Sequence, residues 1–400
     1  MQTTVLVIGG GATGVGVARD LALRGVDTTL VERGAFAAGT TGRSHGVLHS
    51  GARYAEADPD DAAACLAENR ILRDVADACV RETGGYFLQL DGDDPAYFER
   101  KRAACVDLGM SVETLSGDGL RERVPEASPT VERALAVPDA VISPSRLVVA
   151  NAADAREADA TLHDHAPVED IHVEDGTVDR VDVGGRLDAT ITADAVVNAA
   201  GPWAERCAAL AGVSVPMRPT CGAMVTVENP GVDAVLNRCR PPADGDIVVP
   251  RADEAVLGTT SVPVDDPDDF ERTAAEVERI VAECAAMCPA VDAPVRRTYW
   301  GVRPLYAPDE AGRDARAISR GFALLDHATD GAAGLYTIVG GKLTTYRRMA
   351  EATADRVCNR LGVSATCRTD DRPLPGADDP TRLDALREEF GVDAPADGVH

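Results

Sequence analysis

The chain opens on a short apolar block. Residues 3–8 read TTVLVI, the uninterrupted pattern of a strand buried on both faces. Residues 14–25 then alternate small and apolar positions at helical spacing and stop at Gly25, and residues 28–32 (TTLVE) form a second apolar run. The pattern predicts a β-α-β unit in about thirty residues. Residues 34–54 break it: GAFAAGTTGRSHGVLHSGARY is rich in Gly, Ser and Thr. A loop that long inside a compact domain is usually functional.

Helical spacing returns across 60–82, followed by a strand at 86–90, a helix at 95–108 and a turn-rich stretch at 109–143. The pattern then predicts a helix at 145–158 and strands at 177–183 and 187–197, the second running into NAAGPW. Residues 215–228 and 246–262 are strand-like, and 271–287 is amphipathic with helical period. Apolar segments at 299–306, 321–326 and 335–339 follow, and the last runs into a glycine turn and a helix. After Cys367 the chain is rich in Asp and Pro, with one short helix near 380–390. No internal repeat is visible.

Length and composition narrow this picture. A chain of 400 residues with 45% hydrophobic content can bury two or three domain cores. Its net charge is −26. Such a polyanion repels phosphate, which excludes a nucleic-acid partner. The chain has two lysines, Lys101 and Lys342, and its other cations are arginines. That acidic, lysine-poor balance matches proteins of haloarchaeal type, in which concentrated salt screens self-repulsion. Ten cysteines are scattered without a CxxC pair, so no metal or iron–sulfur site is predicted. No apolar run approaches the ~18 residues of a membrane span. The first residues pass directly into a strand, which predicts a cytoplasmic protein with reduced thiols.

Candidate chemistry begins at Gly9-Gly10-Gly11-Ala12-Thr13-Gly14. In a G-x-G-x-x-G turn between strand and helix, Gly9 permits the tight turn. Gly11 lets the backbone approach a pyrophosphate at the helix N-terminus, where Ala12 and Thr13 lie, and Gly14 lets helix and strand pack closely. Glu32, about twenty residues on, is placed to accept ribose hydroxyls, with Arg33 beside it. Two later turns favour FAD over NAD. Ala200, Gly201 and Trp203 follow a strand that should lie beside the first, and Gly340-Gly341-Lys342, with Leu343 and Thr344, is read as opening a late helix. A helix N-terminus there would stabilise negative charge on a reduced flavin.

Arg53, Arg303, Arg320 and Lys342 each lie in or beside a glycine turn or strand end, a cation set suited to phosphate. His45 and His49 lie in the loop expected along the flavin. Each reads either as a general base for alcohol oxidation or as a structural histidine bonded to loop backbone. Tyr54 either donates to substrate or walls the pocket.

The run GTTGRSHGVLHSGARY (39–54), with NAAGPW, NRCRPPADGDIVVP (237–250), GTTS (258–261), YWGVRPL (299–305), ISRGFALLDH (318–327) and GGKLTTYRRMAE (340–351), resembles FAD-dependent glycerol-3-phosphate dehydrogenase, in particular the A-type subunit of the anaerobic, multi-subunit enzyme. The resemblance extends from about residue 3 to about 375 and implies a D-amino-acid-oxidase-like flavoprotein. That means an α/β, Rossmann-like FAD domain (1–75, 141–212 and 315–367) with an inserted antiparallel-sheet substrate domain (76–140 and 213–314). Residues 368–400 would form a linker and helix leading toward the iron–sulfur domain that A-type subunits usually carry. The implied reaction oxidises sn-glycerol 3-phosphate to dihydroxyacetone phosphate. Hydride passes from C2 to flavin N5, and electrons pass to a membrane quinone through partner subunits of B and C type, at the cytoplasmic face of the membrane.

The resemblance also implies residue roles. Arg53, Tyr54, Arg303, Arg320 and Lys342 line the substrate pocket, with Arg303 and Lys342 nearest the reacting centre and Arg320 on the phosphate. Thr41, Gly42, Arg43 and Ser44 follow the FAD phosphates, and the backbone of Val168 meets the adenine. His49 serves both as a cofactor contact and as the favoured base. One departure is visible: aerobic relatives carry a histidine where this chain has Thr220-Cys221-Gly222. The alternatives are an amine or 2-hydroxy-acid oxidoreductase on the same fold, and a non-catalytic flavin-binding scaffold.

Overall fold

The computed structural model describes residues 1–308, 321–393 and 395. Strand Gln2–Ile8, helix Ala12–Leu23 and strand Thr28–Val31 form the expected β-α-β unit. Its sheet continues in parallel on both sides. Thr161–His163 pairs with Thr28–Val31, Ala189–Asn198 lies against the first strand, and Leu335–Gly340 lies beyond it. Between the first strand and Ala189–Asn198 the strand order reverses. Ligands bind outside the carboxyl ends of strands at such a switch point. Val5, Leu6 and Val7 are fully buried because both faces of the sheet are covered.

One face carries helices Ala12–Leu23, Pro144–Glu157 and Tyr346–Leu361. Gly16 lets two of them approach closely, since a Cβ there would meet Ala350 and Tyr346 at 3.1 Å. Helix Pro380–Glu389 seats Leu383 and Leu386 in the same core and packs on helix Pro144–Glu157, where Asp384 pairs with Arg146. The other face is closed by helix Ala204–Leu210 and the hairpin of Val168–Glu174 with Thr177–Val183. Several helices start where an aspartate or serine precedes proline: Asp58, Asp94, Ser143 and Asp379 each accept from a first-turn amide.

A second, nine-stranded sheet is mostly antiparallel. Thr220–Glu228 lies at its heart, flanked by Glu254–Gly258 and by Arg297–Arg303. One pair, Val235–Arg238 with Gly85–Leu90, is parallel. Helix Ala274–Met287, with a Thr273/Glu276 capping box, covers one face.

The pattern gave no element at strands Thr161–His163, Val168–Glu174 and Val235–Arg238, and it misread two other stretches. The helix expected over 60–82 spans Pro59–Val75, because a 3-10 turn at Asp77–Cys79 leads into strand Val80–Arg81. Residues 109–143 are not merely turns. They hold strand Glu113–Ser116, helix Gly117–Arg123 and strands Val131–Val137 and Ala140–Ile142.

Candidate active site

A cavity of about 810 Å³ runs from the first βα turn, past loop 38–47, to the edge of the second sheet. At one end the glycine turns meet. Gly9 has φ +116°, and a Cβ there would stand 2.5 Å from the carbonyl oxygen of Ala199, so the Gly9 turn and the NAAGPW turn touch. A Cβ on Gly14 would fall 1.8 Å from the Gly9 carbonyl oxygen. Gly14 is therefore a packing residue and does not line the cavity. Gly11 caps helix Ala12–Leu23 without a side-chain hydrogen bond, leaving that N-terminus open to an anion. Thr41 Oγ1 accepts from the Ala12 amide at 3.1 Å and ties loop 38–47 to the turn.

Glu32 closes the second strand. Its Oε2 accepts from Gly10 N at 2.6 Å and its Oε1 from Gly34 N at 2.8 Å, which aims the carboxylate at the cavity. Arg33 lies 4.0 Å over the Trp203 ring and pairs with Asp268 at 2.8 Å. Asp268, Phe270 and Arg272, from the loop after Val262–Pro263, line the cavity, as does Val168. Sequence patterning gave no sign of that loop.

In the middle, Gly42 is buried in the 3-10 turn Thr41–Arg43, its amide spent on Ala37 O at 3.0 Å. It does not line the cavity, whereas Arg43 and Ser44 do. The loop docks on the second sheet. Thr40 Oγ1 donates to Val302 O (2.6 Å), Tyr299 Oη donates to Ser44 O (3.2 Å), and a Cβ on Gly301 would stand 2.6 Å from Arg43 O.

The far end gathers His45, His49, Tyr54, Arg303 and Lys342. Arg303 ends strand Arg297–Arg303, and its Nη2 donates to Thr259 Oγ1 and Thr260 O, both at 3.0 Å. Its guanidinium lies across Gly222, where a Cβ would come within 2.5 Å of it. Gly222, in the Thr220-Cys221-Gly222 stretch, thus makes room for the arginine. The ammonium of Lys342 pairs with Asp61 and stands 4.2 Å from the Tyr54 ring centre. The pair is buried, with side chains 7% and 9% exposed.

The histidines are held neutral. His45 Nδ1 accepts from Val47 N at 3.2 Å, which places the proton of the neutral ring on Nε2. Burial and then the charges of Arg53, Arg303 and Arg251 push its pKa down to about 3. His49 is shifted the same way by burial, His45, Arg53 and Lys342. The two rings meet edge to face at 5.5 Å, and His49 meets Tyr54 at 5.7 Å.

Three expectations change here. Arg53 does not line the cavity: its guanidinium turns to Asn237 Oδ1 (3.1 Å) and toward buried Asp246 (4.0 Å). Thr344 is a support, its Oγ1 accepting from His49 N at 3.0 Å. Gly340-Gly341-Lys342 does not open a helix. Gly340 and Gly341 have φ +80° and +69°, so the chain turns and the helix begins at Tyr346. Arg320 lies outside the described residues. Asp61 escaped sequence reading, because nothing local pairs it with a lysine 281 positions away.

The arrangement fits FAD: an open helix N-terminus, a glycine turn a side chain would block, a fixed carboxylate and a long cavity ending in cations. The family described as "FAD dependent oxidoreductase" matches residues 4–347. The chain is 47% identical over 407 residues to the A1 subunit of the anaerobic glycerol-3-phosphate dehydrogenase of Haloferax volcanii, covering 98% of this chain and 70% of that one. It is 41% identical to the corresponding A-type subunit of Escherichia coli K12, covering 99% and 74%. The solved glycerol-3-phosphate dehydrogenase of Bacillus halodurans complexed with FAD superposes with a TM-score of 0.74 at 25% identity, covering 98% and 73%. The chain belongs to the FAD-dependent oxidoreductases and, within them, to the A-type subunits of anaerobic glycerol-3-phosphate dehydrogenase.

Proposed function

We propose that this chain oxidises sn-glycerol 3-phosphate to dihydroxyacetone phosphate. The observation that carries the reading is the cluster of Arg303, Lys342, His45, His49 and Tyr54 at the end of a cavity whose other end bears a dinucleotide signature. Bound FAD supplies the two-electron acceptor for hydride from C2.

The chain's own residues bind, orient and move the proton. Arg303, fixed through Nη2 by Thr259 and Thr260, brings its guanidinium charge to the cavity, and with Lys342 it stabilises negative charge growing on the C2 oxygen. Arg53 supports the pocket wall, and Arg320 is assigned to the phosphate. His49, neutral and beside Tyr54, takes the hydroxyl proton, while the His45 Nε2 proton makes that ring a donor. The glycine turns, Glu32, Arg33, Thr41, Arg43, Ser44, Val168, Trp203 and Leu343 hold the cofactor. We assign 1–75, 141–212 and 315–367 to the FAD domain and 76–140 and 213–314 to the substrate domain, on the strength of the two sheets.

Electrons then leave for a quinone. The relatives are named as subunits of a larger enzyme, which supports work beside further subunits at the cytoplasmic face of a membrane. Among the described residues no helix is long and apolar enough to cross one. The acidic, lysine-poor composition and the Haloferax relative agree on a protein built for salt. Turnover of sn-glycerol 3-phosphate against glycerol, glycine and 2-hydroxyglutarate tests the reading; equal turnover of glycerol would sink it.

A further inference from the structure

Lys342 and Lys101 are the chain's two lysines, and the other cations among its 40 basic residues are arginines. Lys342 lines the cavity. Lys101, in helix Pro95–Asp107, is 2% exposed and bonds to the backbone just before Tyr54, a residue that lines the same cavity. Its partners among the described residues are carbonyls and rings. Nζ donates to Ala52 O at 3.1 Å and reaches Arg53 O at 3.5 Å, and it stands 5.1 Å from the Phe87 ring centre and 5.4 Å from that of Tyr97. The surroundings are apolar: Phe87, Phe98, Cys105, Leu135 and Cys239. A methionine would fill this space without the desolvation cost of an ammonium. Packing therefore does not account for the charge, whereas the two carbonyls do.

Those carbonyls belong to the loop that carries Arg53 and Tyr54. Its near half is tied down elsewhere. Asn69 Nδ2 donates to Leu48 O (3.1 Å), Thr344 Oγ1 accepts from His49 N (3.0 Å), and Asp139 accepts from Ser50 N and Oγ, both at 2.7 Å. Lys101 performs the same service for the far half, at the two peptides preceding the Tyr54 ring. A compact ammonium with three donors can serve two converging carbonyls from a narrow slot.

We propose that Lys101 is a positioning residue for the reaction: its buried ammonium holds the Ala52–Arg53 backbone so that the Tyr54 ring stays against Lys342 and the Arg53 guanidinium stays turned to Asn237. This rests on the reading of the site given above. Facing Lys101 are Tyr97 and Cys105 from its own helix, Cys239 beyond strand Val235–Arg238, and Arg53 and Glu56 from the loop. Burial outweighs the groups that favour the charge and lowers its pKa below the ordinary lysine value. As pH rises the anchor loses its charge, so the efficiency of the enzyme falls on an alkaline limb set below the lysine range.

The test uses the FAD-loaded protein and its Lys101→Met and Lys101→Gln variants. FAD content, kcat and KM for sn-glycerol 3-phosphate are followed from about pH 6 to about pH 10. Lys101→Met is expected to keep its FAD and lose about 10- to 100-fold in kcat/KM near neutral pH, mainly through KM. Its profile should lack the wild-type alkaline limb. Lys101→Gln, which keeps one donor group, should fall between the two. Unchanged kcat/KM in Lys101→Met overturns the proposal. So does activity lost only in proportion to FAD content in both variants, since that assigns Lys101 to the core. A wild-type protein that does not turn over this substrate refutes the functional reading instead.

Discussion

The Lys342 ammonium and the Asp61 carboxylate form a buried ion pair against the face of Tyr54, joining the turn after strand Leu335–Gly340 to the first turn of helix Pro59–Val75. Removing one partner leaves the other charge uncompensated, at a cost of about 3–5 kcal/mol in a fully buried pair and less beside a cavity. Asp61→Asn should therefore lower the unfolding temperature and reduce kcat/KM by about 10-fold or more. Lys342→Ala should abolish most turnover while retaining FAD. Activity restored simply by adding FAD would make Lys342 a cofactor ligand and remove it from the chemistry.

Gly9 cannot carry a side chain. With φ +116° and the Ala199 carbonyl oxygen 2.5 Å from the site of a Cβ, Gly9→Ala combines backbone strain of about 1–2 kcal/mol with a clash between the two cofactor turns. The variant should purify with little FAD, read from the ratio of visible to protein absorbance. Full FAD content would mean that the two turns do not meet at the cofactor.

Asp268 bridges two cations of the FAD-binding side, Arg33 at 2.8 Å and Arg206 at 3.0 Å, from the loop after strand Val262–Pro263. Both pairs are exposed, so each is worth ~0–1 kcal/mol and is screened by salt. Asp268→Ala should speed FAD dissociation by about 3- to 10-fold in dilute buffer. In molar salt the difference from wild type should largely disappear. Identical dissociation rates in dilute buffer would show that the loop does not retain the cofactor.

The cavity histidines make the fold sensitive to acid. Burial and the neighbouring Arg53, Arg303 and Arg251 hold His45 to a pKa of about 3. The unfolded chain takes up that proton near pH 6.5. Between these values the unfolded state binds more protons, so stability falls as pH drops below about 6.5, by roughly 2 kcal/mol at pH 5. His45→Asn should remove that increment from the pH dependence of denaturant unfolding, and a slope equal to wild type would contradict the shifted titration.

Most of the nucleotide-type sheet was legible because every local signal agreed: apolar runs, glycine turns and the carboxylate at Glu32 coincide in one unit. The misread stretch at 109–143 has weaker patterns. Glu113–Ser116 is a largely exposed edge strand, and helix Gly117–Arg123 is too short and charged to show a period. Gly340-Gly341-Lys342 reads as a helix opening until the positive φ at both glycines is known. Side-chain direction was not legible at all: Arg53 sits in the right loop but points to Asn237. Asp61 and Lys101 act through contacts made only when distant segments meet.

Reduction of the bound flavin under anaerobic conditions tests the central claim most directly. Adding sn-glycerol 3-phosphate to the FAD-loaded protein should bleach the visible flavin band and yield one dihydroxyacetone phosphate per flavin, while glycerol leaves the spectrum unchanged. A flavin that stays oxidised in the presence of sn-glycerol 3-phosphate would contradict the account and favour a scaffold role.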